Sequence, residues 1–184
     1  GAELAVIVWK HLEANSITAV FTDGSTAAIY TGANIYESKD LDFISPNEHA
    51  KVLEVMAEIG FVPATKNGKN LRHPRTKILV EFPLGPLNLG GAPIRYEKVG
   101  LQDVLGEKIR MLSPTQSVMD RLLSYVATRD VQGLDQAQWI CERHPVEYTE
   151  IKKWARDVAG ATDEQFRRIC ERCERGIKAY QAKS

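Results

Sequence analysis

A short run of strictly alternating character, Asp40-Leu41-Asp42-Phe43, constrains this chain more than any other feature. Side chains alternate faces along an extended strand, so Leu41 and Phe43 demand an apolar layer while Asp40 and Asp42 share the opposite face. By the strand rise these two carboxylates are about 6 to 7 Å apart. Like charges that close raise the energy of the folded state unless a cation stands between them, and hard oxygen donors suit Mg2+ or Mn2+. Glu81 has the same apolar-acid-apolar setting in Ile78-Leu79-Val80-Glu81-Phe82 and can complete such a site from a neighbouring strand.

Composition limits what that site can belong to. With 184 residues and 43% apolar content, the chain can bury one good core, as a single domain or as a small domain with a helical annex. Lys plus Arg equals Asp plus Glu at 24 each, so no global field announces a nucleic-acid or membrane binder, and any polyanion must be held by a local patch. No apolar run approaches the roughly 18 residues of a bilayer span. The Ala5-Val6-Ile7-Val8-Trp9 stretch lacks the basic start and cleavage site of a signal peptide. Three cysteines, an odd number, fit a reducing compartment better than a disulfide framework, and the cytoplasm is the expected location.

The organisation changes near residue 100. Before it, β-type runs at Ile17 to Thr22, Asp40 to Ile44, Lys77 to Phe82 and Ile94 to Val99 are interleaved with helical patterns and Gly or Pro punctuation. Ser45-Pro46-Asn47 opens a helix carrying Val52, Leu53, Val55, Met56 and Ile59, which Gly60 stops. Beyond it the chain reads as helices: an amphipathic stretch from Leu101 to Leu112, a second starting at Ser113-Pro114, and others at about 131 to 143, 147 to 158 and 163 to 181. The spacing therefore predicts an α+β fold. A mixed sheet with flanking helices over 1–100 packs against a C-terminal helical bundle over 101–184.

Taken together, Asp23-Gly24-Ser25-Thr26-Ala27-Ala28-Ile29-Tyr30, Ser38-Lys39-Asp40-Leu41-Asp42-Phe43 and Val80-Glu81-Phe82 resemble the polymerase-β-type nucleotidyltransferase superfamily. The stretch from Arg72 to Leu87, with Asp120-Arg121-Leu122, is similar to a bacterial and archaeal group of uncharacterised nucleotidyltransferase-like proteins. A more distant likeness runs to nucleotidyltransferase toxins of abortive-infection systems, through the Asp-x-Asp run, Glu107-Lys108 and Arg129-Asp130. The resemblance implies a nucleotidyltransferase-like mixed sheet and transfer of a nucleoside monophosphate from an NTP to an acceptor, whether RNA, protein or small molecule. It implies that Gly24 and Ser25 hold the triphosphate at a helix N-terminus, where Gly admits close backbone approach to the anion. Asp40, Asp42 and Glu81 match the metal-binding carboxylates, with Glu81 also able to accept the attacking hydroxyl's proton, and Mg2+ or Mn2+ is the cofactor. Lys108 resembles a phosphate-contacting lysine on the first helix after the sheet. Two other roles stay open: a nucleotide-binding or regulatory module without turnover, and the toxin of a toxin-antitoxin or phage-defence pair with a cognate antitoxin.

The chain departs from the family pattern twice. Asp23 stands where many relatives have the first Gly of Gly-Gly-Ser, placing a negative charge beside the expected triphosphate. The third acid is Glu rather than the commoner Asp, and its extra methylene shifts an oxygen by about an ångström.

Each feature has a plainer reading. Gly24-Ser25 also suits a strand-to-helix turn with Ser25 as N-cap, Asp40 and Asp42 a solvated strand edge, and Asp120-Arg121 an inter-helix ion pair. Arg129-Asp130 reads as a helix stop followed by a helix N-cap. Cys170 and Cys173 lie one helical turn apart without a second ligand pair, which argues against zinc. Two basic features remain: Lys66, Lys69, Arg72, His73, Arg75 and Lys77, read as a flexible loop near the acids, and the arginines of the last helix, interspersed with glutamates.

Overall fold

The alternation at Asp40-Leu41-Asp42-Phe43 is satisfied by a strand, β2 (Asp40–Ile44), in a five-stranded mixed sheet. In this computed structural model, which describes Gly1–Ser184, the other strands are β1 (Val20–Thr22), β3 (Val62–Pro63), β4 (Asn70–His73) and β5 (Thr76–Glu81), in the spatial order β1-β2-β5-β4-β3. β2 runs antiparallel to β1 and parallel to β5, and β5, β4 and β3 are antiparallel neighbours. The register pairs Asp40 with Leu79, Leu41 with Val80 and Asp42 with Glu81, so apolar and acidic residues line up in rows across the strands.

Leu41, Phe43, Val80 and Leu71 face a first core layer built by α1 (Ala2–Ala14) and α3 (His49–Glu58), with Trp9, Leu12, Val52, Val55 and Met56 buried against them. The Trp9 indole donates to the Ala19 carbonyl at 3.0 Å, fixing α1 beside β1. Gly60, at φ 89, ends α3 in the left-handed conformation a C-terminal glycine adopts without strain.

A second layer forms on the other side of β1. It gathers Val20 and Ala27 with buried residues of α4 (Pro114–Thr128), α5 (Val131–Cys141), α6 (Tyr148–Asp157) and α7 (Asp163–Ala182). Among them, α2 (Asp23–Thr31) wedges between β1 and the bundle, touching α4 and α5. Ser113 caps α4 through a reciprocal capping box with Gln116, and Arg129 ends it in a left-handed turn before Asp130 caps α5. No helix is long and apolar enough to cross a membrane.

Three local expectations are overturned. Leu101 to Leu112 is a β-hairpin, β6 (Leu101–Val104) and β7 (Glu107–Arg110), rather than a helix. Leu105 and Gly106 at φ 55 and 81 form its two-residue turn, and positive φ at both positions is the signature of a type I′ turn. The hairpin's Val104, Ile109 and Met111 bury into the first layer, and Met111 bridges in parallel to Phe21, extending the sheet past β1. Ile94 to Val99 is not a strand; Tyr96–Lys98 makes one turn of 3-10 helix. The basic stretch 66–77, expected as a flexible loop, gives half its residues to β4 and the start of β5.

Helices α4 and α5 approach most closely at Gly133, where an added Cβ would lie 2.4 Å from the Arg121 carbonyl oxygen. A backbone atom cannot swing aside, so Gly133→Ala is expected to cost about 1 to 3 kcal/mol through overpacking. Gly100→Ala, whose Cβ meets only a side-chain atom at 3.7 Å, is expected to change stability by less than about 0.5 kcal/mol. Denaturant melts of the two variants against wild type check this contrast.

Candidate active site

The site lies where β1 ends, α2 begins and the acidic faces of β2 and β5 meet. Because residues paired across adjacent strands point to the same side, Asp42 and Glu81 stand side by side, and Asp40 shares their face two residues along β2. Each carboxyl group has a polar neighbour. Ser38 donates its hydroxyl to Asp40 Oδ1 at 2.9 Å, and Asn70, reaching over from β4, donates its amide to Glu81 Oε1 at 2.7 Å. Ser25 lies against Asp42: its hydroxyl oxygen accepts the Asp42 N–H at 3.1 Å and the hydroxyl approaches Oδ2 at 3.4 Å. Held this way, the three acids share a face but are not drawn together into a closed set of metal ligands. Their chemistry nonetheless suits a hard divalent cation, since every donor is a carboxylate oxygen.

Crowding shows in the electrostatics. Burial, followed by the charges of Asp23, Asp40 and Glu81, lifts the Asp42 carboxyl to about 8, with Arg121 pulling weakly the other way. Glu81 is also raised, by partial burial first and then by Asp40 and Asp23. The carboxyl groups are therefore crowded enough that Asp42 keeps its proton at neutral pH.

Gly24 and Ser25 occupy the first turn of α2, and Ser25 is buried. Ser25 is not the helix N-cap; its hydroxyl donates back to the Thr22 carbonyl at 2.6 Å. Gly24 is closely walled, since a Cβ there would lie 3.2 Å from the Tyr36 hydroxyl and 3.5 Å from Arg121 Nη1. Asp23 adopts φ 61, a left-handed conformation that Gly enters freely and that Asp tolerates better than most residues. Its side chain curls over the turn. Oδ1 accepts the Gly24 N–H at 2.6 Å and also pairs with the Arg121 guanidinium.

Arg121 is the residue beside these acids that sequence reasoning left at the margin. It rises from α4 with its side chain only 11% exposed and forks onto the Asp120 carboxylate at 2.7 and 3.2 Å while reaching Asp23. Its Nη1 also approaches Gln136 of α5 at 3.5 Å. Burial opposes its charge, and Asp120 and then Asp23 outweigh that cost, so the guanidinium is held charged above its ordinary value. The adjacent Asp120-Arg121 letters announce an ion pair, but its reach to Asp23 depends on α4 packing against α2 and is invisible in the letters alone.

Lys108 is not brought to this set. It lies on β7 rather than on a helix, and its ammonium pairs with Asp103 across the same hairpin at 3.3 Å. The hairpin packs against α1 and β1.

No family model matches the chain, and no curated protein is similar to it in sequence. Among solved structures, an antigenic nucleotidyltransferase-like protein from Paracoccidioides brasiliensis superposes with a TM-score of 0.61 at 12% identity, over 98% of this chain and 92% of its own. The antibiotic-resistance factor ANT(2'')-Ia superposes with a TM-score of 0.52 at 12% identity, over 98% and 94% of the two chains. At such identity the likeness is one of architecture. The chain has the α+β fold of nucleotidyltransferase-like proteins, as its sequence pattern predicts.

The raised Asp42 carboxyl makes a measurable claim. A group that holds its proton to about 8 when folded and to about 4 when unfolded favours the native state at low pH. That contribution is lost as pH rises between those values. Asp42→Asn cannot ionise, so its melting temperature relative to wild type is expected to climb from pH 4 and level off above pH 8. A pH-independent difference between the two melting curves would contradict the crowding described above.

Proposed function

We propose that the chain is a metal-dependent nucleotidyltransferase that moves a nucleoside monophosphate from an NTP to a hydroxyl acceptor. The observation that carries this reading is the common face of Asp40, Asp42 and Glu81, set beside the first turn of α2. Asp40 and Asp42 would hold Mg2+ or Mn2+, which when bound supplies charge stabilisation at the α-phosphate. Glu81, its carboxyl raised by partial burial and by Asp40 and Asp23 and positioned by Asn70, takes the proton of the attacking hydroxyl. The hydroxyl oxygen forms a new ester bond to the α-phosphorus as the α–β anhydride breaks, and pyrophosphate leaves. The first turn of α2, at Gly24 and Ser25, would seat the triphosphate at a helix N-terminus, where anions are favoured, once the Asp23 carboxylate releases the Gly24 N–H. Arg121 adds the cation next to that turn.

Asp23 supports a second reading, a nucleotide-binding or regulatory module without turnover. Its carboxylate already takes the Gly24 N–H and the Arg121 guanidinium, two donors a phosphate group would use. One variant tests whether this carboxylate competes with the phosphate, and label transfer then separates the two readings. Asp23→Gly removes the competing carboxylate and restores a residue that enters the left-handed turn freely. It is expected to bind MgATP about tenfold tighter or more, the scale of one charge-assisted hydrogen bond. Calorimetric titration of the four Mg–NTP complexes into wild type and Asp23→Gly measures this.

Transfer itself is tested with an α-labelled nucleotide. The Asp40→Asn, Asp42→Asn double variant and chelated wild type are both expected to lose labelling by at least about a thousandfold, whereas undiminished labelling by the double variant sinks the assignment.

A further inference from the structure

We infer that the acceptor is a single-stranded nucleic acid, laid across the open half of the sheet outward from the acids. This rests on the transfer reading above and names the substrate class for the same site. From Ile59 to Val80 the chain has no Asp or Glu but carries Lys66, Lys69, Arg72, Arg75 and Lys77, against a chain-wide charge balance of zero. None of these five cations pairs with a carboxylate. By contrast, the arginines of α7 are largely consumed: Arg167, Arg168 and Arg172 pair with Glu171, Glu164 and Asp135.

The register decides which of the free cations matter. On β5, Ile78 and Val80 turn to the core side, leaving Lys77, Leu79 and Glu81 on the acid face. On β4, buried Leu71 fixes Asn70 and Arg72 to that same face, and Arg72 pairs across to Val62 of β3. The acid face thus continues outward as a shelf of Leu79, Lys77, Arg72 and Val62. Lys77 and Arg72 are exposed, and Val62 is 45% exposed. By the strand rise, Lys77 lies about 13 Å from Glu81 along β5.

That layout matches a polymer whose terminal hydroxyl reaches Glu81 while its phosphates run back over Lys77 and Arg72. The apolar Leu79, between Glu81 and Lys77 on β5, and Val62, beside Arg72 on β3, give unpaired bases a surface that a phosphate-only contact would not need. An acidic peptide satisfies the cations equally well but presents no run of phosphates ending in a sugar hydroxyl, so the observations favour nucleic acid.

The test is fluorescence anisotropy of a labelled single-stranded RNA oligonucleotide with the full chain, from about 50 to 200 mM salt. Wild type is expected to bind with a negative log–log salt slope. The Arg72→Gln, Lys77→Gln variant, changed only at exposed positions, is expected to melt like wild type, bind about tenfold or more weaker, and lose about 1.4 from that slope. Absence of binding at low salt, equal binding by the variant, or equal displacement by polyglutamate overturns the inference. A single-stranded DNA of the same sequence separates the sugar: weaker binding assigns RNA, and equal binding supports a sugar-blind nucleic-acid shelf. The Asp40→Asn, Asp42→Asn variant keeps RNA binding while losing transfer. If RNA binding depends on Arg72 and Lys77 but wild type transfers no label, the transfer reading alone fails. If label transfer persists while RNA ignores those cations, the shelf alone fails.

Discussion

Everything at the junction of sheet and bundle depends on one buried guanidinium. Arg121 pairs directly with Asp23 and Asp120 and tempers the charge felt by Asp42, next to which Asp40 and Glu81 stand on the sheet. Removing one partner from a buried charge pair leaves the other uncompensated, which is far costlier than the net worth of the pair. Arg121 therefore ties α4 to the start of α2, and through Gln136 it also touches α5. The close α4–α5 approach at Gly133, against the Arg121 backbone itself, holds that side chain's base in place.

The crowding of carboxyl groups that Arg121 does not relieve gives the acid face its character. A cluster evolved only for stability would neutralise it, since an acid lifted to about 8 destabilises the native state at neutral pH. Retained strain of this kind is concentrated at functional sites. The left-handed backbone at Asp23 lies beside the same acids, so two departures from local preference coincide there.

Much of this was legible in the letters, for definite reasons. β2 runs over Asp40–Ile44 as expected, because period-two alternation with two acids has no stable alternative in a helix. α4 begins where Ser113-Pro114 puts it, since cap and first-turn proline act locally. The hairpin at Leu101 to Arg110 reads as a helix because Leu101, Val104 and Leu105 fall at helical spacing, while Gly106, the turn residue, is a single letter among polar neighbours. The basic stretch misled in another way: polar, Gly-containing and proline-bearing, it reads as loop, yet each of its strands is stabilised by partners elsewhere in the sheet. Asn70 and the Asp23–Arg121 pair were beyond reach, because both arise from contacts between residues 11 and 98 positions apart.

β1 is only three residues long, and one of its two edges is closed by Met111 and Leu112, about ninety positions downstream, with Leu112 donating to the Phe21 carbonyl at 3.2 Å. On a ribosome adding roughly 5 to 20 residues each second, that edge stays open for several seconds after Phe21 has been made. In chain order the partner of that edge is therefore made after every strand of the acid-bearing sheet. Final closure waits on the hairpin, so the last piece of the sheet to arrive is one that carries none of its chemistry.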